Sequence, residues 1–106
     1  MQKEVIFSKQ GDCLVAKLKC DVDHHTARVM RKSIDRMLFE NKPDILILDF
    51  SSVDFMDSSG LGLILGRVDK ANALNAEVRL CGISPTLMKL IRLSGIERIS
   101  NLSLMK

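Results

Sequence analysis

The sequence predicts a single α/β domain: an open mixed sheet with an antiparallel hairpin at its start and helices packed on it. Residues 4–9 and 13–20 alternate between apolar and polar on either side of Gln10-Gly11-Asp12, which is typical of a hairpin. After Val22, helical and strand patterns alternate, which favours parallel strands joined by right-handed crossovers. Because 106 residues with 46% hydrophobic content suffice for one core, we expect residues 1–106 to form one domain.

The first helix is predicted over residues 22–41, where apolar residues recur at helical spacing until Asn41-Lys42-Pro43 stops it. Asp23 is expected to be its N-cap. His24 and His25 then become surface groups of the first turn, since adjacent helical side chains point in different directions and do not converge on a metal. The predicted buried stripe is Ala27, Met30, Ile34, Met37 and Leu38.

The remaining elements follow from similar patterns. Residues 45–48 are an uninterrupted apolar run, which predicts a strand covered on both faces. A second helix is expected over 58–74, a strand over 78–81, and a third helix from Ser84-Pro85 to Gly95. Residues 96–104 can add a last short strand. The core stripe predicted for the second helix is Leu61, Ile64, Leu65, Val68 and Ala71.

Composition excludes several classes of function. The net charge is only +3, the basic residues are scattered, and the four aromatic residues are all Phe, so direct binding to nucleic acid is not expected. Three cysteines without C-x-x-C spacing indicate buried free thiols in a reducing compartment. No segment has the length of a signal peptide core or a membrane span. We therefore expect a cytoplasmic protein without membrane contact.

The stretch 43–60 is the most informative in the chain. An apolar run is followed by a polar loop that leads to Ser58 and Ser59 at the start of the second helix. Unpaired backbone N–H groups and the helix dipole favour negative charge at such a position. Either serine can be a simple helix cap, a role that Asp57 can equally fill, or one of them can be a site of phosphorylation.

Ser58, Gly62 and Gly66 are spaced four residues apart and form one row along the second helix. Each interior glycine costs about 1 kcal/mol relative to alanine, so the absent side chains need a reason. One interpretation is close packing of the helix on the sheet. The other is a smooth surface on which a partner's backbone can approach. Leu63, expected to be exposed on the side away from the core stripe, favours the second interpretation.

No set of catalytic residues is predicted, so the chain is not expected to be an enzyme. The interval from Gly62 to Gly66 is one residue too long for a dinucleotide fingerprint. Asp49 ends an apolar strand but has no second acid with which to hold Mg²⁺. Because no base, nucleophile and pocket converge, we expect no catalytic residue, no metal and no cofactor.

Two segments resemble bacterial anti-sigma factor antagonists, which have the fold called STAS. They are Asp-His-His-Thr-Ala at 23–27 and Phe-Met-Asp-Ser-Ser-Gly-Leu-Gly-Leu-Ile-Leu-Gly-Arg at 55–67. The likeness extends over almost the whole chain and is strongest to the sporulation branch, which antagonises the anti-sigma F factor. It implies that Ser58 is phosphorylated by the anti-sigma factor, itself a serine kinase. The unphosphorylated form would bind the kinase and release the sigma factor, and a serine phosphatase would restore this form after phosphorylation.

The same resemblance implies a contact surface for the kinase around Ser58. Two alternatives remain open at this point. One is an antagonist of the same family acting in a general-stress sigma pathway, and the other is a STAS-type module that binds a nucleotide or another small ligand. The residues assigned to the partner contact are Asp23, Ser58, Ser59, Gly62, Leu63 and Gly66.

Overall fold

The computed structural model describes residues 3–105, so the ends of the predicted domain, residues 1, 2 and 106, lie outside the described residues. Its sheet has the strand order β1-β2-β3-β4-β5, with β1 and β2 antiparallel and the other neighbours parallel. The predicted mixed sheet with its starting hairpin is therefore confirmed. The elements are β1 Val5–Gln10, β2 Cys13–Leu18, α1 His24–Asn41, β3 Ile45–Asp49, α2 Ser58–Ala73, β4 Glu77–Cys81, α3 Pro85–Ser94, a 3₁₀ turn Ile96–Arg98 and β5 Leu102–Leu104.

Local signals place most element ends where the sequence predicts them. Gly11 adopts φ 60° in the hairpin turn, a conformation open to glycine at little cost. Lys42, at φ 45°, ends α1, and its N–H donates to the carbonyl of Leu38. Ser84 caps α3 and Gly95, at φ 78°, ends it. Within residues 3–105, no helix is long and apolar enough to cross a membrane.

Among the described residues 3–105, the helices cover one face of the sheet only, so the prediction that β3 is covered on both faces is wrong. Leu46 and Leu48 are fully buried, whereas Ile45 and Ile47 are half-buried. The buried residues of α1, α2 and α3 belong to the same cluster as these leucines. An unbroken apolar run shows no alternation, and its pattern therefore does not reveal how many layers cover it.

The three cysteines are half-buried, not fully buried as expected. Cys13 and Cys81 occupy alternate positions to the buried ones on β2 and β4 and so lie on the less covered face of the sheet. Partial burial raises the pKa of the Cys81 thiol, and the charge of Asp49 raises it further. Burial also raises the pKa of Cys20, with a smaller contribution from neighbouring carboxylates.

Candidate functional site

The N-termini of α1 and α2 lie side by side because the segments that precede them are hydrogen-bonded to each other. The N–H of Val22 donates to the carbonyl of Phe55 at 3.0 Å, and the N–H of Asp57 donates to the carbonyl of Val22 at 3.1 Å. Asp23 and Asp57, the N-caps of the two helices, follow this short parallel bridge directly. The two segments that carry the family resemblance therefore meet in space.

Asp21 anchors the loop that leads to α2. Its Oδ1 accepts hydrogen bonds from the backbone N–H groups of Asp54 at 3.0 Å and Phe55 at 3.1 Å. Its carbonyl accepts a hydrogen bond from Oγ1 of Thr26 at 2.8 Å, which ties the same residue to the first turn of α1. The sequence analysis missed Asp21, because nothing in a local pattern connects it to amides more than thirty residues away.

Asp57, and neither serine, caps α2. Its carboxylate accepts from the N–H of Ser59 at 2.7 Å, and its carbonyl accepts from the N–H of Gly60 at 2.9 Å. The expectation of unpaired N–H groups beside the serines is thus wrong for these two amides. Ser58 is the first residue of α2 and its side chain is exposed, while Ser59 is half-buried.

Asp23 is the N-cap of α1, as predicted, and it forms a capping box with Thr26. Its Oδ1 accepts from the N–H of Thr26 at 2.8 Å, and its own N–H donates to Oγ1 of Thr26 at 2.9 Å. The hydrogen bond from the Thr26 amide stabilises the ionised carboxylate and holds the pKa of Asp23 below its ordinary value. His24 and His25 are exposed, and within residues 3–105 no three His, Cys, Asp or Glu side chains are grouped to hold a metal ion.

The glycine row of α2 faces open space. A Cβ atom built on Gly62 or Gly66 would meet no atom of residues 3–105 within 4 Å, so close packing on the sheet does not explain these two glycines. Packing does explain Gly60, which is buried and whose Cβ would collide with the side chain of Met56. The row that begins at Ser58 is therefore an open strip along the outer side of α2.

The prediction that Leu63 is exposed is wrong: its exposed fraction is 3%, and Leu65, at 42%, is the exposed leucine of α2. The predicted core stripe was therefore misplaced around the helix axis. Arg67, which no hydrophobic pattern would place inside, is buried and pairs with Asp35 of α1. Because α1 packs against the flank of α2 that carries Leu63 and Arg67, Leu65 is left beside the glycine row.

A cleft of about 400 Å³ opens between α1 and α2 next to this strip. It brings together three predicted contact residues, Ser59, Gly62 and Leu63, and it adds two arginines that the sequence analysis missed. Ser58 and Gly66 lie in the same row as Gly62, one helical turn to either side of it. The cleft is lined by His24, Ala27, Arg28, Arg31, Ser59, Gly62 and Leu63.

Residues 4–105 match the family model described as STAS domain. The chain is 34% identical over 99 residues to an anti-sigma F factor antagonist of Paenibacillus polymyxa, which covers 93% of this chain and 85% of the relative. It is 28% identical over 80 residues to an anti-sigma-B factor antagonist of Listeria monocytogenes, which covers 74% of this chain and 68% of the relative.

A solved structure, that of the Bacillus cell fate determinant SpoIIAA in the phosphorylated form, matches with a TM-score of 0.72 at 28% identity. The match covers 96% of this chain and 91% of that one. The chain therefore belongs to the STAS domain family and, within it, to the anti-sigma factor antagonists.

Proposed function

We propose that this protein, acting in the cytoplasm, binds an anti-sigma factor that is also a serine kinase and so releases a sporulation sigma factor. Phosphorylation of Ser58 abolishes this binding, and a serine phosphatase restores it. The observation that carries the proposal is the position of Ser58. It is exposed at the head of α2 and begins a strip that is free of side chains at Gly62 and Gly66.

The outer side of α2 has the properties of a protein-binding surface. Gly62 and Gly66 allow a partner's backbone to approach the helix closely. Leu65, 42% exposed beside them, offers apolar area that a partner would bury. Asp23 lies next to this surface because the bridge between Val22 and Met56 holds the two helix starts together. Leu63 would contribute through the floor of the cleft, since its side chain is buried.

The phosphorylation step needs nothing from this chain except an accessible hydroxyl. Oγ of Ser58 forms the new bond to the γ-phosphorus of ATP held by the kinase, and the bond from that phosphorus to the leaving ADP oxygen breaks. The proton of the hydroxyl passes to a base on the kinase. The exposed side chain at the first position of α2 suits this role, because the kinase reaches it without opening the core.

The phosphate is expected to act at the interface and not on the fold. It adds about −1.5 to −2 charges to a side chain that is exposed in the free protein, so folding requires no new desolvation. In the complex the same group must be desolvated or must clash with the partner. A penalty of about 4 kcal/mol would weaken binding roughly a thousandfold.

One similarity supports the sporulation pathway over the general-stress pathway. The anti-sigma F relative is more similar over a larger share of this chain than the anti-sigma-B relative. The matching SpoIIAA structure is of a phosphorylated form, which is consistent with a phosphorylation switch in either pathway. The general-stress antagonist remains the second candidate, since the anti-sigma-B relative shares the same family.

The test is to incubate the protein with the anti-sigma F and anti-sigma B homologues of its own organism and ATP, and to map the phosphopeptide by mass spectrometry. We expect the anti-sigma F homologue to phosphorylate Ser58, and Ser58→Ala to abolish the reaction. Ser100→Ala, which changes an exposed serine in the loop before β5, is the control and should be phosphorylated normally. Phosphate on another residue would contradict the proposal.

Binding measured by calorimetry completes the test. Ser58→Ala should bind the kinase like the unmodified protein, and Ser58→Asp should bind at least a hundredfold more weakly. Both variants should melt like the wild type, because the side chain is exposed. If Ser58→Asp bound as tightly as wild type, the proposed interface mechanism would be wrong.

A further inference from the structure

We propose that the cleft between α1 and α2 is a binding site for a phosphate group, and that this group is the ester on Ser58, held by Arg28 and Arg31. The inference deepens the proposed function and rests on it only in that Ser58 carries a phosphate. In the phosphorylated form, the phosphate on Ser58 would pair with Arg28 and Arg31, whereas in the unmodified form the basic cleft is open.

The cleft carries positive charge that its own walls do not neutralise. Arg28, Arg31 and His24 line it, and none of the described lining residues is acidic. Within residues 3–105, neither arginine forms an ion pair, and Arg28 reaches only the ring of His24, at 3.4 Å. An anion entering the cleft would therefore gain two guanidinium partners without displacing a carboxylate.

The carboxylate one helical turn after Arg31 on α1 is already engaged. Asp35 lies 2.7 Å from Nε of the buried Arg67. Burial lowers the pKa of Arg67, the charge of Asp35 raises it, and the charge of Arg31 lowers it further, so a third guanidinium adds to the positive field. Neutralising Arg31 with an anion would relieve this repulsion between like charges.

Two of the amides at the start of α2 are already engaged and do not serve a phosphate on Ser58. The N–H groups of Ser59 and Gly60 are bonded to the carboxylate and the carbonyl of Asp57. The carboxylate of Asp57 also adds a negative charge beside Ser58, as Asp23 does at the start of α1. Cations near the helix start would therefore balance a phosphate on Ser58, and the arginines of the adjoining cleft are such cations.

Ser58 is not a lining residue of the cleft, but it lies at the cleft's edge. It precedes Ser59 in the chain, and it stands one helical turn before Gly62, so it adjoins two residues of the cleft wall. Residues one helical turn apart are neighbours on the helix surface, about 5–6 Å from each other at Cβ. Because Gly62 has no side chain, nothing at that position separates a phosphate on Ser58 from the cleft. Arginine side chains are long, and their planar guanidinium forms paired hydrogen bonds to phosphate oxygens.

The test uses the full-length protein with phosphoserine installed at position 58 during translation, so that no kinase is needed. The second pKa of the phosphate is measured by ³¹P NMR titration. We expect it about half a unit or more below the ordinary value of about 6, and we expect the double variant Arg28→Gln/Arg31→Gln to return it to that value. Lys32→Gln is the matched control, because it removes the same charge from an exposed position of α1 outside the cleft.

The result that would overturn the inference is a phosphate that titrates at the same pH in the double variant and in the wild type. A second arm titrates inorganic phosphate into the unmodified protein and follows the arginine side-chain resonances. If inorganic phosphate does not bind, or binds with a Kd of tens of millimolar or more, the result supports the ester on Ser58 as the ligand. Tight binding of free phosphate, with no effect of the arginines on phosphoserine, would assign the cleft to a phosphate from solution and contradict the proposal.

Melting temperatures and amide spectra of the variants show whether each remains folded. Because the phosphoserine is placed genetically, a failure of the kinase to phosphorylate Ser58 would reject the proposed function and leave this titration interpretable. Conversely, an unperturbed phosphate pKa would reject the cleft as its site even if the kinase acts on Ser58 as proposed.

Discussion

Nε of Arg67 lies 2.7 Å from Oδ1 of Asp35 and joins α2 to α1. The contact at Nε is an ion pair that lacks hydrogen-bond alignment. Nη2 of Arg67 donates a hydrogen bond to Oδ2 of Asp35 at 3.3 Å, and Nη1 donates to the carbonyl of Leu63 at 3.4 Å. The Arg67 side chain is 3% exposed and that of Asp35 is 29% exposed. This pair fixes which side of α2 faces α1, and so it turns the glycine row outward.

Removing one partner of this pair is expected to destabilise the fold. Asp35→Ala leaves a buried guanidinium without its counter-charge, which costs about 3 kcal/mol, the lower end for buried pairs because Asp35 is partly hydrated. Arg67→Met replaces the cation with a shorter apolar side chain and leaves Asp35 partly hydrated, so it should cost less. Urea denaturation of each variant measures the change in the free energy of unfolding.

The double variant Asp35→Ala/Arg67→Met separates the ion pair from simple loss of packing. It should be more stable than Asp35→Ala alone, because no unpaired buried charge remains. Asp69→Ala removes a carboxylate from the exposed side of α2 and should change stability by less than about 0.5 kcal/mol. Additive effects in the double variant would show that the two residues do not depend on each other.

The glycines of α2 are expected to respond to alanine with opposite signs. Gly62→Ala should stabilise the protein by up to about 1 kcal/mol, because its Cβ enters open space in an exposed helix. Gly60→Ala should destabilise it by about 1 kcal/mol or more, because the new Cβ must displace the buried Met56 side chain. Thermal or urea unfolding decides the signs, and a destabilising Gly62→Ala would mean that the strip is packed against something in the free protein.

Stability is expected to depend on pH through Asp23. Its pKa is lowered in the folded protein by the hydrogen bond from the Thr26 amide, so the unfolded chain takes up this proton first as the pH falls. The contribution of the charged carboxylate is present above the unfolded pKa of about 3.9 and is lost as the pH falls through the lower folded value. Asp23→Asn keeps a capping oxygen but removes the charge.

We therefore expect the wild type to melt at a higher temperature than Asp23→Asn at pH 7. The difference should shrink progressively below about pH 4. Melting curves of both proteins across this range make the measurement. An equal difference at pH 7 and pH 2.5 would show that the charge of Asp23 does not contribute.

Features that depend on neighbouring residues were predictable. The hairpin around Gly11, the Asp23 cap, and the start of α3 at Ser84-Pro85 all follow from local geometry, and the structure confirms them. The location of Ser58 at the start of α2 also follows from the boundary between a polar loop and a helical pattern. Each of these signals lies within one or two turns of chain, where propensity and capping chemistry act directly.

Features that depend on distant residues were not predictable. Hydrophobic spacing placed Leu65 inside and Leu63 outside, yet α1 covers Leu63 and leaves Leu65 exposed. The Arg67–Asp35 pair and the attachment of Asp21 to the loop before α2 join positions more than thirty residues apart. A pattern that scores residues by hydrophobicity does not detect a buried arginine whose counter-charge lies on another helix.

By itself, the sequence determined the order of the strands and main helices, most of their ends, and a serine at the head of α2, because backbone propensity, capping and periodicity act over short stretches of chain. Only the tertiary structure decided how α2 is rotated, that Gly62 and Gly66 face open space, and that Arg28 and Arg31 line a cleft beside Ser59. These features arise where two helices pack, and the contact between them depends on side chains that no single segment of the sequence contains.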